Sequence, residues 1–192
     1  WFANASAGEI GRISSSGAIT YYGPATEDPT GIVAGSDGNL WFSEPVGNLV
    51  GRLKPDGAIK EFTLPTKGSR PTAIALGPDG NVWFCEFAAD RIGRITPSGK
   101  ISEYRIPTPA SFPAGIAAGD DGALWFTELT SGKIGRITRT GRISEFASPG
   151  GGYPGPIVRA RDGSLWYVGN AKRDPVLGLT ESSSVLVHFT PR

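Results

Sequence analysis

The chain has 192 residues, of which 39% are hydrophobic and 19% charged, with 19 Lys and Arg against 18 Asp and Glu. This composition is typical of a globular protein, and the interleaved charges lack the basic footprint of a nucleic-acid-binding protein. No apolar run approaches the roughly 20 residues needed to span a bilayer. The single cysteine, Cys85, excludes an intrachain disulfide, and we predict it to be a small buried strand residue rather than a reactive thiol.

Five tryptophans recur at a nearly constant spacing, at positions 1, 41, 83, 125 and 166. A period of about 42 residues is typical of an array of units that pack their apolar faces on their neighbours. Each full unit has four short segments rich in Ile, Val, Trp and Phe, bounded by Gly, Asp, Ser and Pro. We therefore predict four strands per unit, A to D, and place the tryptophans in the packing within or between units.

Two glycine turns recur along the chain. Asp-Gly pairs suited to tight hairpins separate strands A and B, at 37–38, 79–80, 121–122 and 162–163. A second turn separates strands C and D, at 16–17, 56–57, 98–99 and 140–141. Proline-rich connections lead from each strand D to the next strand A, at 23–30, 63–72, 105–114 and 147–156. Each unit is thus predicted to be an antiparallel meander.

A four-stranded meander of this length, repeated, predicts an all-β fold, the β-propeller. We expect one array over 1–192, with blade units at about 1–22, 31–62, 72–104, 115–146 and 156–190. The 18 predicted strands make about 4.5 blades, so we expect part of a larger or multi-chain ring, with self-association as one way to complete it. A chain that starts at Trp1 inside a unit, without any Met, is expected to have been cut, either by removal of a signal or propeptide, by the choice of the expressed segment, or because the sequence is a fragment. A β-solenoid is the alternative fold, although its rungs are shorter and parallel.

Recurring motifs suggest a family. Residues 35–44 read Gly-Ser-Asp-Gly-Asn-Leu-Trp-Phe-Ser-Glu, residues 92–96 read Ile-Gly-Arg-Ile-Thr, and residues 119–128 repeat the first motif. The series resembles the streptogramin B (virginiamycin B) lyase family, well over about 1–146 and loosely beyond. The resemblance implies a seven-bladed propeller that confers antibiotic resistance by linearising a cyclic depsipeptide in a Mg²⁺-assisted elimination.

The resemblance also implies catalytic histidines in a Pro-His-Gly/Ala-Ile motif at the start of strand A. The matching positions hold other residues, namely Thr30, Thr72, Ala114 and Gly155. None of these side chains accepts a proton near neutral pH, so none matches the catalytic base. The only histidine, His188, lies in a strand-like run near the C-terminus and is expected on the surface.

The meander places the D-to-A loops, the B-to-C loops and the far end of strand B at one end of each unit. If the chain binds a ligand, we expect the site there. The predicted binding residues are Asp28, Thr30, Arg70, Thr72, Tyr153, Lys172 and Arg173.

Strand B ends in a glutamate in three units, at Glu44, Glu86 and Glu128. A ring of carboxylates could hold a hard cation, and Mg²⁺ is the metal that the resemblance implies; the sequence shows no other cofactor. The structural alternative pairs each glutamate with the arginine of the next motif, namely Arg52, Arg94 and Arg136.

Three functions follow. The leading hypothesis is a streptogramin lyase-like scaffold that is not catalytic as given and binds an unidentified small molecule or protein. The alternative is a virginiamycin B lyase, or a fragment of one, whose catalytic histidines lie outside this chain or on another chain. The third is a metal-dependent lactonase-type hydrolase, which shares only the architecture. The composition predicts a soluble protein, and the sequence identifies neither a cytoplasmic nor an exported location.

Overall fold

The structure is a computed structural model, which describes residues 1–24, 28–149, 152–170 and 184–191. These residues form 18 strands in five antiparallel sheets and one short 3-10 helix, Ala5–Ala7. The first sheet contains β1 (Phe2–Asn4), β2 (Glu9–Ile13) and β3 (Ile19–Tyr22).

The next three sheets have four strands each, in chain order. The second contains β4 (Ile32–Ala34), β5 (Leu40–Glu44), β6 (Leu49–Leu53) and β7 (Ile59–Thr63). The third contains β8 (Pro71–Leu76), β9 (Val82–Glu86), β10 (Arg91–Ile95) and β11 (Ile101–Arg105). The fourth contains β12 (Pro113–Ala118), β13 (Leu124–Glu128), β14 (Lys133–Ile137) and β15 (Ile143–Ala147). The fifth contains β16 (Tyr153–Arg159), β17 (Leu165–Asn170) and β18 (Ser184–Phe189).

Every sheet is a meander of sequential antiparallel strands, which confirms the predicted all-β fold and its four-stranded unit. The first strands of the second to fifth sheets contact one another, and we call them the innermost strands. Three of them, β8, β12 and β16, begin one to three residues before the predicted units, at Pro71, Pro113 and Tyr153. The extra residues belong to irregular pairings, because the register of each of these three strands shifts directly after its start. Such bulges bend a strand and re-aim its side chains. The larger ring remains a prediction.

The Asp-Gly turns hold the tryptophans as well as the hairpins. Gly80 adopts a left-handed backbone with φ of 74°, which glycine tolerates without strain. Asp79 Oδ1 accepts hydrogen bonds from the Asn81 backbone N–H and from Trp83 Nε1, at 3.2 and 3.0 Å. Asp37 and Asp121 accept the same tryptophan bond. Although partial burial acts to raise it, these bonds hold the pKa of Asp79 below its usual value.

The hydrophobic core lies between consecutive sheets. Trp83 of the third sheet packs with Leu124, Phe126 and Ile137 of the fourth, and Trp41 packs with the third sheet in the same way. This confirms the predicted packing role for Trp41, Trp83 and Trp125, whereas Trp1 is 49% exposed. Each phenylalanine after the tryptophan covers the glycine of the Ile-Gly-Arg-Ile motif or its equivalent, where a Cβ would meet the ring at about 2.0 Å in the fourth sheet. A side chain there would displace the ring from its place between sheets.

The repeated arginines also join sheets. The Arg94 guanidinium lies 5.4 Å from the Trp83 ring centroid, and its Nη1 donates to the Arg139 carbonyl of the fourth sheet at 3.0 Å. The predicted pairing of these arginines with the strand-B glutamates is wrong. The register pairs Arg94 with Trp83 and pairs Glu86 with Arg91, so the two side chains lie at opposite ends of the hairpin. The same register separates Arg52 from Glu44 and Arg136 from Glu128.

Candidate functional site

The two kinds of loop share one end of the sheets, as the meander predicts. Glu86 pairs with Pro71 at the start of β8, and Glu128 pairs with Pro113 at the start of β12. In the second sheet, the Thr30 backbone N–H donates to the Ser43 carbonyl near the end of β5. The ends of the B strands therefore lie beside the starts of the A strands, and the Asp-Gly turns lie at the other end.

The innermost strands of four consecutive sheets line an open cavity of about 530 Å³. Its walls combine apolar strand residues, such as Ile32 and Ile74, with residues at the family's histidine positions. Thr30, Thr72 and Ala114 line the cavity directly, and the Gly155 carbonyl lies 3.1 Å from where a Gly115 Cβ would be. The structure thus brings together the four positions that the sequence singled out. We call the end of this cavity at the D-to-A loops the mouth.

Of the hydroxyl groups near the mouth, those of Thr30 and Ser43 make structural hydrogen bonds. Thr30 Oγ1 lies 3.2 Å from Ser43 Oγ, and Ser43 Oγ donates to the Thr72 carbonyl of the next sheet. Thr72 Oγ1 is buried and makes no hydrogen bond to the described residues. Thr30 is exposed and can contact a ligand, but a threonine hydroxyl does not act as a base near neutral pH.

A strained residue precedes the proline of three D-to-A loops. Asp28, Arg70 and Phe112 have positive φ angles of 31°, 52° and 48°. A left-handed backbone is uncommon for residues other than glycine and costs about 1 kcal/mol or more, and such strain concentrates at functional sites. The three equivalent positions present a carboxylate, a guanidinium and an aromatic ring. They are the chemically variable part of an otherwise repeated mouth.

Sequence reasoning selected Asp28 and Arg70 but missed Phe112. The Phe112 ring packs against Phe87 of the neighbouring B-to-C loop, with centroids 5.2 Å apart and planes inclined by 52°. The signal was present in the repeat, because Phe87 stands where the other units have Pro45 and Leu129.

The strand-B glutamates point between sheets. Glu86 shares the strand face of Phe84, whose ring packs against the second sheet, and it is completely buried. Burial raises the pKa of Glu86 to about 7; the charge of Glu103 adds to this, whereas Ser69 and Arg91 oppose it. Burial likewise raises the pKa of Glu128 to about 7.

The carboxylates do not fit a shared Mg²⁺ site. Glu44, Glu86 and Glu128 belong to three different sheets, and Glu128 Oε2 accepts a hydrogen bond from Ser131 Oγ at 2.9 Å. Over the described ranges, no group of three or more His, Cys, Asp or Glu is placed to hold a metal ion. Mg²⁺ therefore remains an implication of the resemblance.

The other predicted residues fall into two groups. Tyr153 is exposed and borders a second cavity of about 530 Å³, together with Lys133 and Gly132. Lys172 and Arg173 lie outside the described residues.

The single histidine and the single cysteine both lie where the sequence predicts. His188 is exposed and stacks on Trp166 at 4.7 Å, as expected for a surface histidine. Cys85 is completely buried, and burial raises the pKa of its thiol. It is therefore the inert strand residue that the sequence predicts.

Meanders that pack side by side through their innermost strands, with variable loops at one end, define a protein of the β-propeller class. The chain belongs to the virginiamycin B lyase family, whose model matches residues 1–189. Among the described residues, no helix has the length and apolar character needed to cross a membrane.

Solved structures agree with this membership. A catalytically inactive variant of virginiamycin B lyase from Staphylococcus aureus, solved with quinupristin, is 47% identical over 87% of this chain and 58% of its own, with a TM-score of 0.81. The selenomethionine-substituted S. aureus enzyme is 39% identical over 100% of this chain and 66% of its own, with a TM-score of 0.83. Virginiamycin B lyase of Bordetella parapertussis is 51% identical over 35 residues, which make up 18% of this chain and 12% of that protein. The chain thus spans 58% and 66% of the lengths of the two solved proteins.

Proposed function

We propose that this chain binds a cyclic depsipeptide of the streptogramin B class at the mouth, without itself supplying the base for elimination. The observation that carries the proposal is the set of three strained, chemically different residues at equivalent positions, Asp28, Arg70 and Phe112, beside the 530 Å³ cavity. A related lyase was solved with quinupristin, which supports this ligand class over a protein partner.

The mouth residues offer complementary contacts for such a ligand. Arg70 is exposed and can donate to ester or amide carbonyls. Phe112 offers an aromatic face, and Asp28 can accept an amide N–H. Together they would orient a depsipeptide over the cavity rather than react with it.

Among the described residues, no side chain at the mouth is placed to act as the base for proton transfer. The positions that match the family's histidines hold Thr30, Thr72, Ala114 and Gly155. Glu86 and Glu128 have pKa values near 7, which suits a base, but both side chains are completely buried under the loops. We therefore assign the described residues to binding and orientation only.

A second candidate function is favoured by the identity of 39% to 47% with lyases that this chain spans only in part. In that case the same surface is one portion of a virginiamycin B lyase, and residues beyond this chain, or another chain, supply the histidines.

One experiment tests whether this chain binds the depsipeptide and whether it catalyses a reaction by itself. The full chain would be incubated with quinupristin and Mg²⁺, beside the S. aureus lyase as a positive control, and analysed by calorimetry and by chromatography with mass spectrometry. We expect saturable binding and unchanged quinupristin, with binding weakened in Arg70→Ala and retained in Lys54→Ala, which changes an exposed residue at the opposite end.

Two possible reaction products would each identify a different enzyme activity. A ring-opened isomer of unchanged mass would identify a lyase, and a product heavier by one water would identify a hydrolase of the lactonase type. Absence of binding would overturn the proposal.

A further inference from the structure

The loops that carry Arg70 and Phe112 are held by a side chain from the preceding B-to-C loop. Asp90 Oδ2 accepts from the Ala110 backbone N–H at 2.7 Å. Asp90 Oδ1 accepts from the backbone N–H groups of Ser111 and Phe112, at 2.8 and 3.2 Å, and from the Ser111 hydroxyl. One carboxylate thus collects three consecutive amides directly beside the mouth, and such charge-assisted bonds are stronger than neutral ones.

Asn48 holds the loop that carries Arg70 in the same way, one sheet earlier. Its Oδ1 accepts from the Ser69 N–H and hydroxyl, at 2.8 and 2.9 Å, and from the Arg70 N–H at 3.3 Å. Its Nδ2 also donates to the Thr66 carbonyl at 2.9 Å. Both Asn48 and Asp90 have a left-handed backbone, with φ of 57° and 51°, a conformation in which Asn and Asp are enriched.

The third equivalent position provides a natural comparison. Gly132 keeps the left-handed backbone, with φ of 66°. Its carbonyl accepts from the Ser148 N–H, as the Asn48 and Asp90 carbonyls accept from the amides of Leu64 and Ile106. Only the side-chain acceptor is missing, and here the loop borders the second cavity of about 530 Å³. The left-handed backbone at this position of the B-to-C loop, and the hydrogen bond of its carbonyl, are therefore present without the side chain.

We infer that Asn48 and Asp90 are positioning residues, which hold Arg70 and Phe112 in their left-handed conformations so that these side chains face a ligand at the mouth. This inference rests on the proposed function for its ligand, although its local effect can be measured without one. The two residues act through the loops and do not touch the ligand themselves.

The test replaces the acceptor without straining the backbone. Asp90→Gly and Asn48→Gly reproduce the residue at position 132, and Asp90→Asn keeps an acceptor of the same length as Asn48. The control Asp56→Gly removes an exposed turn carboxylate at the opposite end. Hydrogen exchange of the full chain is measured at the amides of Ser69 and Arg70 for Asn48→Gly, and at the amides of Ala110, Ser111 and Phe112 for the Asp90 variants. Quinupristin affinity is measured by calorimetry.

In Asp90→Gly, we expect exchange at these amides to rise on the order of tenfold or more, which is the effect of losing one hydrogen bond to a charged group. Quinupristin affinity should fall by a similar factor, Asp90→Asn should restore both, and Asn48→Gly should act on Ser69 and Arg70 alone.

Several outcomes would overturn the inference: unchanged local exchange in both glycine variants, unchanged affinity despite faster exchange, or no rescue by Asp90→Asn. If the unmodified chain binds no quinupristin, the proposed function fails, whereas faster exchange in Asp90→Gly with rescue by Asp90→Asn would still support the loop-holding role.

Discussion

At the scale of single residues, the buried glutamates stand out because they make the fold sensitive to pH. Glu86 is completely buried beside Glu103, whose carboxylate accepts from the Thr66 amide and hydroxyl of a D-to-A loop. The pKa of Glu86 rises from 4.5 to about 7. Between these two values the folded chain binds more protons than the unfolded chain, so its free energy of unfolding falls as the pH rises.

We therefore predict that Glu86→Gln removes the contribution of Glu86 to this pH dependence and leaves that of Glu128. Above pH 7 it should raise the free energy of unfolding by about 3 kcal/mol, because a shift of one pKa unit corresponds to about 1.4 kcal/mol. Urea unfolding between pH 5 and 8 measures the effect, with Asp56→Asn as an exposed control. A variant as pH-dependent as the unmodified chain would show that other groups control this slope.

At the scale of strands and loops, the arginines of β6, β10 and β14 lie against the tryptophan of their own sheet. Arg52 and Arg94 also donate to carbonyls of the next sheet, at Pro97 and Arg139. An isolated ammonium on lysine would keep the charge but lose the planar stacking and the fixed donor geometry.

Arg94→Lys should accordingly lower the free energy of unfolding by about 1 to 2 kcal/mol, the sum of a cation–π contact and one hydrogen bond. Chemical denaturation measures this loss. Arg139→Lys, which changes an exposed side chain and keeps the acceptor carbonyl, is the matched control and should have a negligible effect. Equal losses in both variants would contradict the bridging role.

The strands and turns were predictable from sequence because their signals are local. The Asp-Gly pairs and the alternation around each tryptophan determine them within a few residues. The mouth was predictable only in part, since the left-handed φ of Phe112 depends on Asp90, 22 residues earlier. The bulges after Pro71 and Pro113 were not predicted, because they appear only in the pairing of each strand with its neighbour. The arginine–glutamate pairing was wrong because opposite charge suggested a partner that the strand register excludes.

At the scale of the whole molecule, each sheet depends on its neighbours for its core. Phe126 of the fourth sheet is completely buried in a cluster with Trp83 and Ile92 of the third. In such arrays, stability is the sum of the unit terms and the interfaces between units.

Phe126→Ala should therefore cost about 3 to 5 kcal/mol, and hydrogen-exchange protection should fall in β10 as well as in β13. Phe146→Ala, in the same sheet but 48% exposed, should cost much less and leave β10 protected. Loss of protection confined to the fourth sheet would argue against shared stability.

The hydrogen bonds that hold the loops of Arg70 and Phe112 use backbone amides and serine hydroxyls, not the side chains of Arg70 and Phe112 themselves. A single-codon change at either position would alter the charge or shape offered at the mouth and leave those bonds in place. Under the proposed function, the protein would thus keep its architecture and its ligand preference in separate residues. A new preference could be selected from a library of a few codons, with the propeller scaffold kept constant.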